Sequence, residues 1–133
     1  MFVFTGGAST RAPKAIQIAD SATEVIVVGE RDEYDKMVPY FEEAGVTTRF
    51  IFASDTTESV DVVRREMLRL RENLSIIVSS IWHLPQIEML CEIAGIDRFC
   101  TLYGAGNPKA SSIDGRILSQ SRKMVFLMRR YFR

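Results

Sequence analysis

The stretch TRFIFASDTTESVDVVRREMLRLRENLSIIVS, residues 48–79, decides how this chain folds. It opens with an apolar run, residues 48–53, short and rich enough in Phe and Ile for a buried strand. Asp55-Thr56-Thr57-Glu58 follows and fits a capping box, in which Asp55 caps free helix N–H groups and Glu58 reaches back. Val60, Val63, Met67, Leu70 and Leu74 then recur at three- and four-residue intervals, while Arg64, Arg65, Arg69 and Arg71 take the other faces. A second apolar run, residues 75–79, closes the unit. Strand, amphipathic helix and strand in this order make a right-handed crossover between parallel strands.

Outward from this unit the same alternation recurs. Strands are expected at residues 1–5, 24–28, 48–53, 75–79 and 98–102, and further helices at roughly residues 10–22, 32–44, 84–94 and 113–131. Gly45-Val46 and Gly95-Ile96 each place glycine after a last helical turn and then a β-branched residue, which marks two equivalent helix-to-strand junctions. The chain therefore reads as one α/β domain over residues 1–133, a three-layer sandwich around a five-stranded parallel sheet. Residues 103–112, with Gly104, Gly106, Asn107 and Pro108, read as its one long loop.

Composition narrows the function classes. The 133 residues can bury roughly two-thirds of the unfolded surface without a metal or disulfide. Seventeen bases balance seventeen acids, which argues against nucleic acid as the main partner. One histidine and two cysteines cannot make a four-ligand zinc site without carboxylates, so no metal is expected. Cys91 and Cys100 are too far apart for a Cys-x-x-Cys pair, which fits a reduced compartment. No run approaches a membrane span, and Met1 leads straight into Phe2-Val3-Phe4 without a charged leader, so a cytoplasmic location is expected. The balance is uneven: residues 30–43 hold six acids against Arg31 and Lys36, and residues 109–133 hold seven bases against Asp114. The basic, apolar segment 123–133 reads as a helix packed on its own sheet, or as a surface for a membrane, a partner or a second copy of the chain.

In an open parallel sheet, ligands bind beyond the carboxyl ends of the strands, where helix N-termini converge. The first such loop, Gly6-Gly7-Ala8-Ser9-Thr10-Arg11, offers backbone N–H groups, hydroxyls and a guanidinium to an anion. Its alternative is a tight turn capped by Ser9 or Thr10 with Arg11 in solvent. Glu30 ends the second strand, about where a ribose-binding acid sits in dinucleotide folds. Asp55, Thr56 and Glu58 follow the third, and Ser79, Ser80, Trp82 and His83 the fourth. His83 is the side chain whose ordinary pKa suits proton transfer near neutral pH. The glycine motifs of dinucleotide folds and nucleoside triphosphatases and the Gly-x-Ser-x-Gly elbow are all absent.

Read in order, these loops resemble the SanA/YdcF/ElyC-like family of bacterial domains. Gly6, Gly7 and Arg11 are similar to its opening glycine pair and arginine. Asp55-Thr56-Thr57-Glu58-Ser59-Val60 stands where the family has Asn-Thr-x-Glu-Asn-Ala, and Ser79-Ser80-Ile81-Trp82-His83-Leu84-Pro85-Gln86 where it has Thr-Ser-x-Tyr-His-Met-Pro-Arg. The resemblance covers about residues 2–100 and implies a Rossmann-like sheet, for which we favour strand order 3-2-1-4-5 over 2-1-3-4-5. It also implies a nucleotide-like ligand such as S-adenosylmethionine, and a common site for Arg11, Glu58 and His83.

Two functions follow. The first is a hydrolase or transferase acting on a phosphorylated or nucleotide-like small molecule. Gly6, Gly7, Ser9 and Arg11 would hold an anion, His83 would move a proton and Glu58 would orient His83 or the substrate. Asp55, Thr56, Ser79 and Ser80 would complete the polar lining, and Trp82 would stack on the ligand. The second is a non-catalytic interaction module that uses the basic C-terminal helix, to which Gln86, Asp55 and Ser59 point as departures from the family pattern.

Overall fold

The alternation becomes five strands and four helices in the computed structural model, which describes residues 1–106. In chain order these are β1 (Phe2–Phe4), α1 (Ala8–Ile18), β2 (Val25–Gly29), α2 (Arg31–Glu43), β3 (Thr48–Phe52), α3 (Thr56–Leu70), β4 (Ser75–Ser80), α4 (Leu84–Ala94) and β5 (Cys100–Ala105). Every neighbouring pair is parallel, in the order β3-β2-β1-β4-β5, so the alternative order 2-1-3-4-5 is excluded. β1 is central, with Phe2 and Val3 paired to Ile26 and Val27 on one side and to Ile77 and Val78 on the other.

Alternating side chains feed two apolar layers. Phe2, Phe4, Ile26, Val28 and Ile77 meet Val60, Val63 and Met67 of α3 and Ile87 and Leu90 of α4. Val3, Val25, Val27 and Val78 face the other way, onto Ala12 and Ala15 of α1 and Met37 and Phe41 of α2. Each Val, Ile, Leu, Phe or Met among them, fully buried, contributes about 1.5–3 kcal/mol of transfer free energy. The result is a three-layer, Rossmann-like sandwich. Its strand order reverses between β1 and β4, which are neighbours in space although α1, α2 and α3 lie between them in sequence.

α1 and β5 differ from the sequence reading by two residues or more at each end. α1 begins at Ala8, because the Gly7 carbonyl already accepts from the N–H groups of Thr10 and Arg11. It stops at Ile18, and just beyond it Asp20 Oδ1 accepts from the Ala22 N–H at 2.9 Å and the Thr23 hydroxyl at 2.8 Å, folding the chain into a turn. β5 runs later than expected, since residues 97–99 form a short 3-10 turn; Tyr103, Gly104 and Ala105 are strand residues rather than loop. Gly104 fits there because a Cβ would lie 2.6 Å from Ile81 Cγ1. The expected helix at 113–131, the basic segment 123–133 and residues 107–112 lie outside the described residues. Among the described residues no helix is long and apolar enough to cross a membrane.

Candidate functional site

The carboxyl edge of the sheet is built loop by loop. After β1 the chain turns through Gly6 and Gly7, at φ 105° and 48°, conformations that side chains rarely adopt. The turn wraps the chain's own arginine: a Cβ on Gly6 would lie 3.2 Å from Arg11 Nη1. Arg11, 6% exposed, donates from Nη1 to the Phe4 carbonyl oxygen at 3.0 Å and to that of Thr5, and from Nε to Ser80 Oγ at 2.9 Å. Burial lowers its guanidinium to about 10, and the nearby Glu33 carboxylate pulls the other way. Arg11 is therefore neither in solvent nor free to clamp an anion with its whole fork. Neither Ser9 nor Thr10 caps α1. Thr10 instead donates its hydroxyl to the Gly7 carbonyl oxygen at 3.0 Å, and Ser9 is exposed in the first turn.

At the end of β2, Glu30 precedes α2 and donates its N–H to Thr5 Oγ1 at 3.1 Å. Glu33 lies in the first turn of α2, where a carboxylate suits the positive end of the helix dipole. After β3, Asp55 Oδ1 accepts from the Glu58 N–H at 2.8 Å. Glu58 Oε2 reaches back one residue further than an ordinary capping box, accepting from the Ser54 hydroxyl at 2.5 Å and the Ser54 N–H at 3.3 Å. These two bonds, the hydroxyl foremost, hold the Glu58 carboxyl below its usual range. After β4 a single 3-10 turn, residues 81–83, carries Trp82, 42% exposed, and half-buried His83, with Pro85 in the first turn of α4.

These loops surround a cavity of about 290 Å³, close to the ~300 Å³ lower end of small-molecule sites. Phe4, Val28 and Ala53 form its apolar floor. Of the side chains singled out by the sequence, Arg11, Asp55, Thr56, Ser79 and His83 line it together, as does Glu30. Gly6, Gly7, Ser9, Glu58, Ser80 and Trp82 lie outside the lining. Two of them act one step behind it: Ser80 accepts from Arg11, and Glu58 braces Ser54 and the turn that presents Asp55.

The lining also contains Thr5, Glu33, Ser54 and Ser59, none of which the sequence reading assigned to the site. Glu33 had a legible signal, since it stands three residues after Glu30 on one helical face. Ser59 stood out only as a departure from the family pattern, because a serine inside a helix ordinarily reads as surface; here it is buried and donates to the Asp55 carbonyl oxygen at 2.9 Å. The balance of charge is acidic: Glu30, Glu33 and Asp55 face Arg11 and His83. Such a wall accepts hydrogen bonds from hydroxyls and amines and opposes bare phosphate. Among the described residues no group of His, Cys, Asp and Glu is arranged to hold a metal ion.

Fold and cavity thus define a doubly wound parallel α/β domain with a small, acid-lined pocket at the carboxyl edge. Comparison with protein families, curated proteins and solved structures found no match for the chain.

Proposed function

We propose that the carboxyl-edge cavity binds a nucleotide-like small molecule and that His83 moves a proton there during hydrolysis or group transfer. One observation carries this reading: Arg11, Asp55, Thr56, Ser79 and His83, drawn from three separate loops, meet Glu30 around one pocket. Glu30 and Asp55 are the acceptors for the paired hydroxyls of a ribose, and Thr56 and Ser79 offer further hydrogen bonds. Arg11 contributes positive potential rather than a bidentate grip, because its Nε and Nη1 are committed to the protein. A phosphate group of the ligand accordingly lies away from the carboxylates, toward α1. The ordered likeness of Gly6, Gly7, Arg11, Thr56, Glu58, His83 and Pro85 to the SanA/YdcF/ElyC pattern supports the same reading.

The test is calorimetric titration of the full chain with adenosine, AMP, S-adenosylmethionine and adenine. Ribose-bearing ligands bind, and Glu30→Ala weakens them by about 1.5–3 kcal/mol, roughly ten- to a hundredfold in Kd, the worth of hydrogen bonds to a charged group. Adenine alone does not distinguish the two proteins. His83→Gln keeps binding and abolishes turnover. Equal affinity of wild type and Glu30→Ala for every ribose-bearing ligand, or no binding of any, would overturn the proposal.

A further inference from the structure

Cys91 and Cys100 play no part in the carboxyl-edge pocket, and their spacing in sequence hides what the fold does with them. Cys91 lies in the third turn of α4 and Cys100 is the first residue of β5. Between them the helix closes at Gly95 and the chain turns through residues 97–99, which brings the strand back beside the helix. The two side chains share a cavity of about 350 Å³ with Glu88, Glu92, Asp97 and Leu102. Cys91 is buried and Cys100 is partly open. The Cys100 thiol donates to Met67 Sδ at 3.9 Å, which pins it against α3.

We infer that Cys100 and Cys91 form a redox-active dithiol, with Cys100 attacking and Cys91 resolving, whose oxidant is a small neutral or cationic disulfide. Access sets the roles, because only Cys100 is partly open to an incoming reagent. The proximity of the thiols acts in the same sense: the neighbouring Cys91 draws the Cys100 thiol down, against burial and Asp97. The same interaction, together with burial, pushes Cys91 up. Glu88, Glu92 and Asp97 select the oxidant, since three carboxylates lining the cavity repel an anionic disulfide.

The chemistry balances. Cys100 loses its proton to solvent and its thiolate attacks one sulfur of the disulfide, forming a mixed disulfide and expelling one thiolate. Cys91, deprotonated in turn, attacks Cys100 Sγ and expels the second. The protein loses two electrons and two protons, and the reagent is reduced to two thiols.

The experiment exposes the reduced, native full chain to cystamine, a cationic disulfide, or to glutathione disulfide, an anionic one, with alkylating quench and peptide mass mapping. In wild type the mass falls by two hydrogens and the cross-link joins Cys91 to Cys100. Cystamine reacts at least tenfold faster than glutathione disulfide at low ionic strength. Cys91→Ala stops at a cysteamine adduct on Cys100, and Cys100→Ser does not react. A wild-type reaction that ends at a mixed disulfide, joins two chains or modifies Cys91 first would overturn the dithiol. Equal rates with the two reagents would overturn the charge selection. Should Cys91→Ala fail to fold, the wild-type map and order of modification decide the matter alone.

Discussion

Arg11 shows how a residue with the look of a ligand-binding group can first be a part of the fold. Its guanidinium bonds two carbonyl oxygens at the end of β1 and the Ser80 hydroxyl at the end of β4. Arg11→Ala leaves these acceptors without their donor in a buried place, and we expect unfolding free energy in urea to fall by about 2–4 kcal/mol. Arg11→Lys restores less than half, because one ammonium cannot reach all three. An alanine variant as stable as wild type would mean the arginine is kept for a ligand instead. Glu58 carries a pH signature. Its folded carboxyl lies below the free value of 4.5, so the unfolded chain binds the proton more tightly in that interval. Its contribution to stability is present above 4.5 and is lost as pH falls through the folded value. Glu58→Gln therefore flattens the acid side of the stability curve while ribose-bearing ligands still bind, as read from urea midpoints across pH and from titration. A loss of ligand binding on that substitution would return Glu58 to the site that the sequence assigned it.

At the scale of elements, three helices end with one hydrogen-bond pattern. Val46, Ile96 and Glu72 each donate an N–H to the carbonyl five residues back, on Phe41, Cys91 and Met67, at 2.9, 2.9 and 3.1 Å. Gly45 and Gly95 occupy the left-handed position in two of them, at φ 70° and 76°. In the third the position is held by Arg71 at φ 54°. Arg71→Gly removes that strain at an exposed site and should stabilise the protein by about 1 kcal/mol, visible as a higher urea midpoint; no gain would show that the arginine side chain compensates locally. The glycine junctions were legible because glycine advertises a left-handed turn, whereas Arg71 gave no such sign. The end of β5 was misread for a related reason: Gly104 looks like a loop residue and serves as clearance for Ile81.

For the molecule as a whole, periodicity carried most of the information. Apolar runs of strand length between amphipathic stretches gave the layers, and the resemblance chose the strand order that the sheet adopts. The pocket was half legible, because a strand's carboxyl end can be located in sequence but the direction of a side chain cannot. That is why Arg11 and His83 were found together with Gly6 and Trp82, which lie outside the lining. Local rather than total charge carried the pocket's character: two of its three carboxylates, Glu30 and Glu33, come from the acidic segment 30–43. That Cys91 and Cys100 line one cavity was likewise invisible, since it depends on how a helix end and a 3-10 turn return the chain.

The bond between Arg11 and Ser80 joins residues 69 apart in sequence, and it forms only when β4 arrives beside β1. Until then β1 has a partner in β2 alone, and its other side is an open row of N–H and C=O groups flanked by Phe2 and Phe4. Such an edge can pair with another chain as readily as with its own β4. A slower crossover through α3 would therefore leave the folding chain open to aggregation for longer.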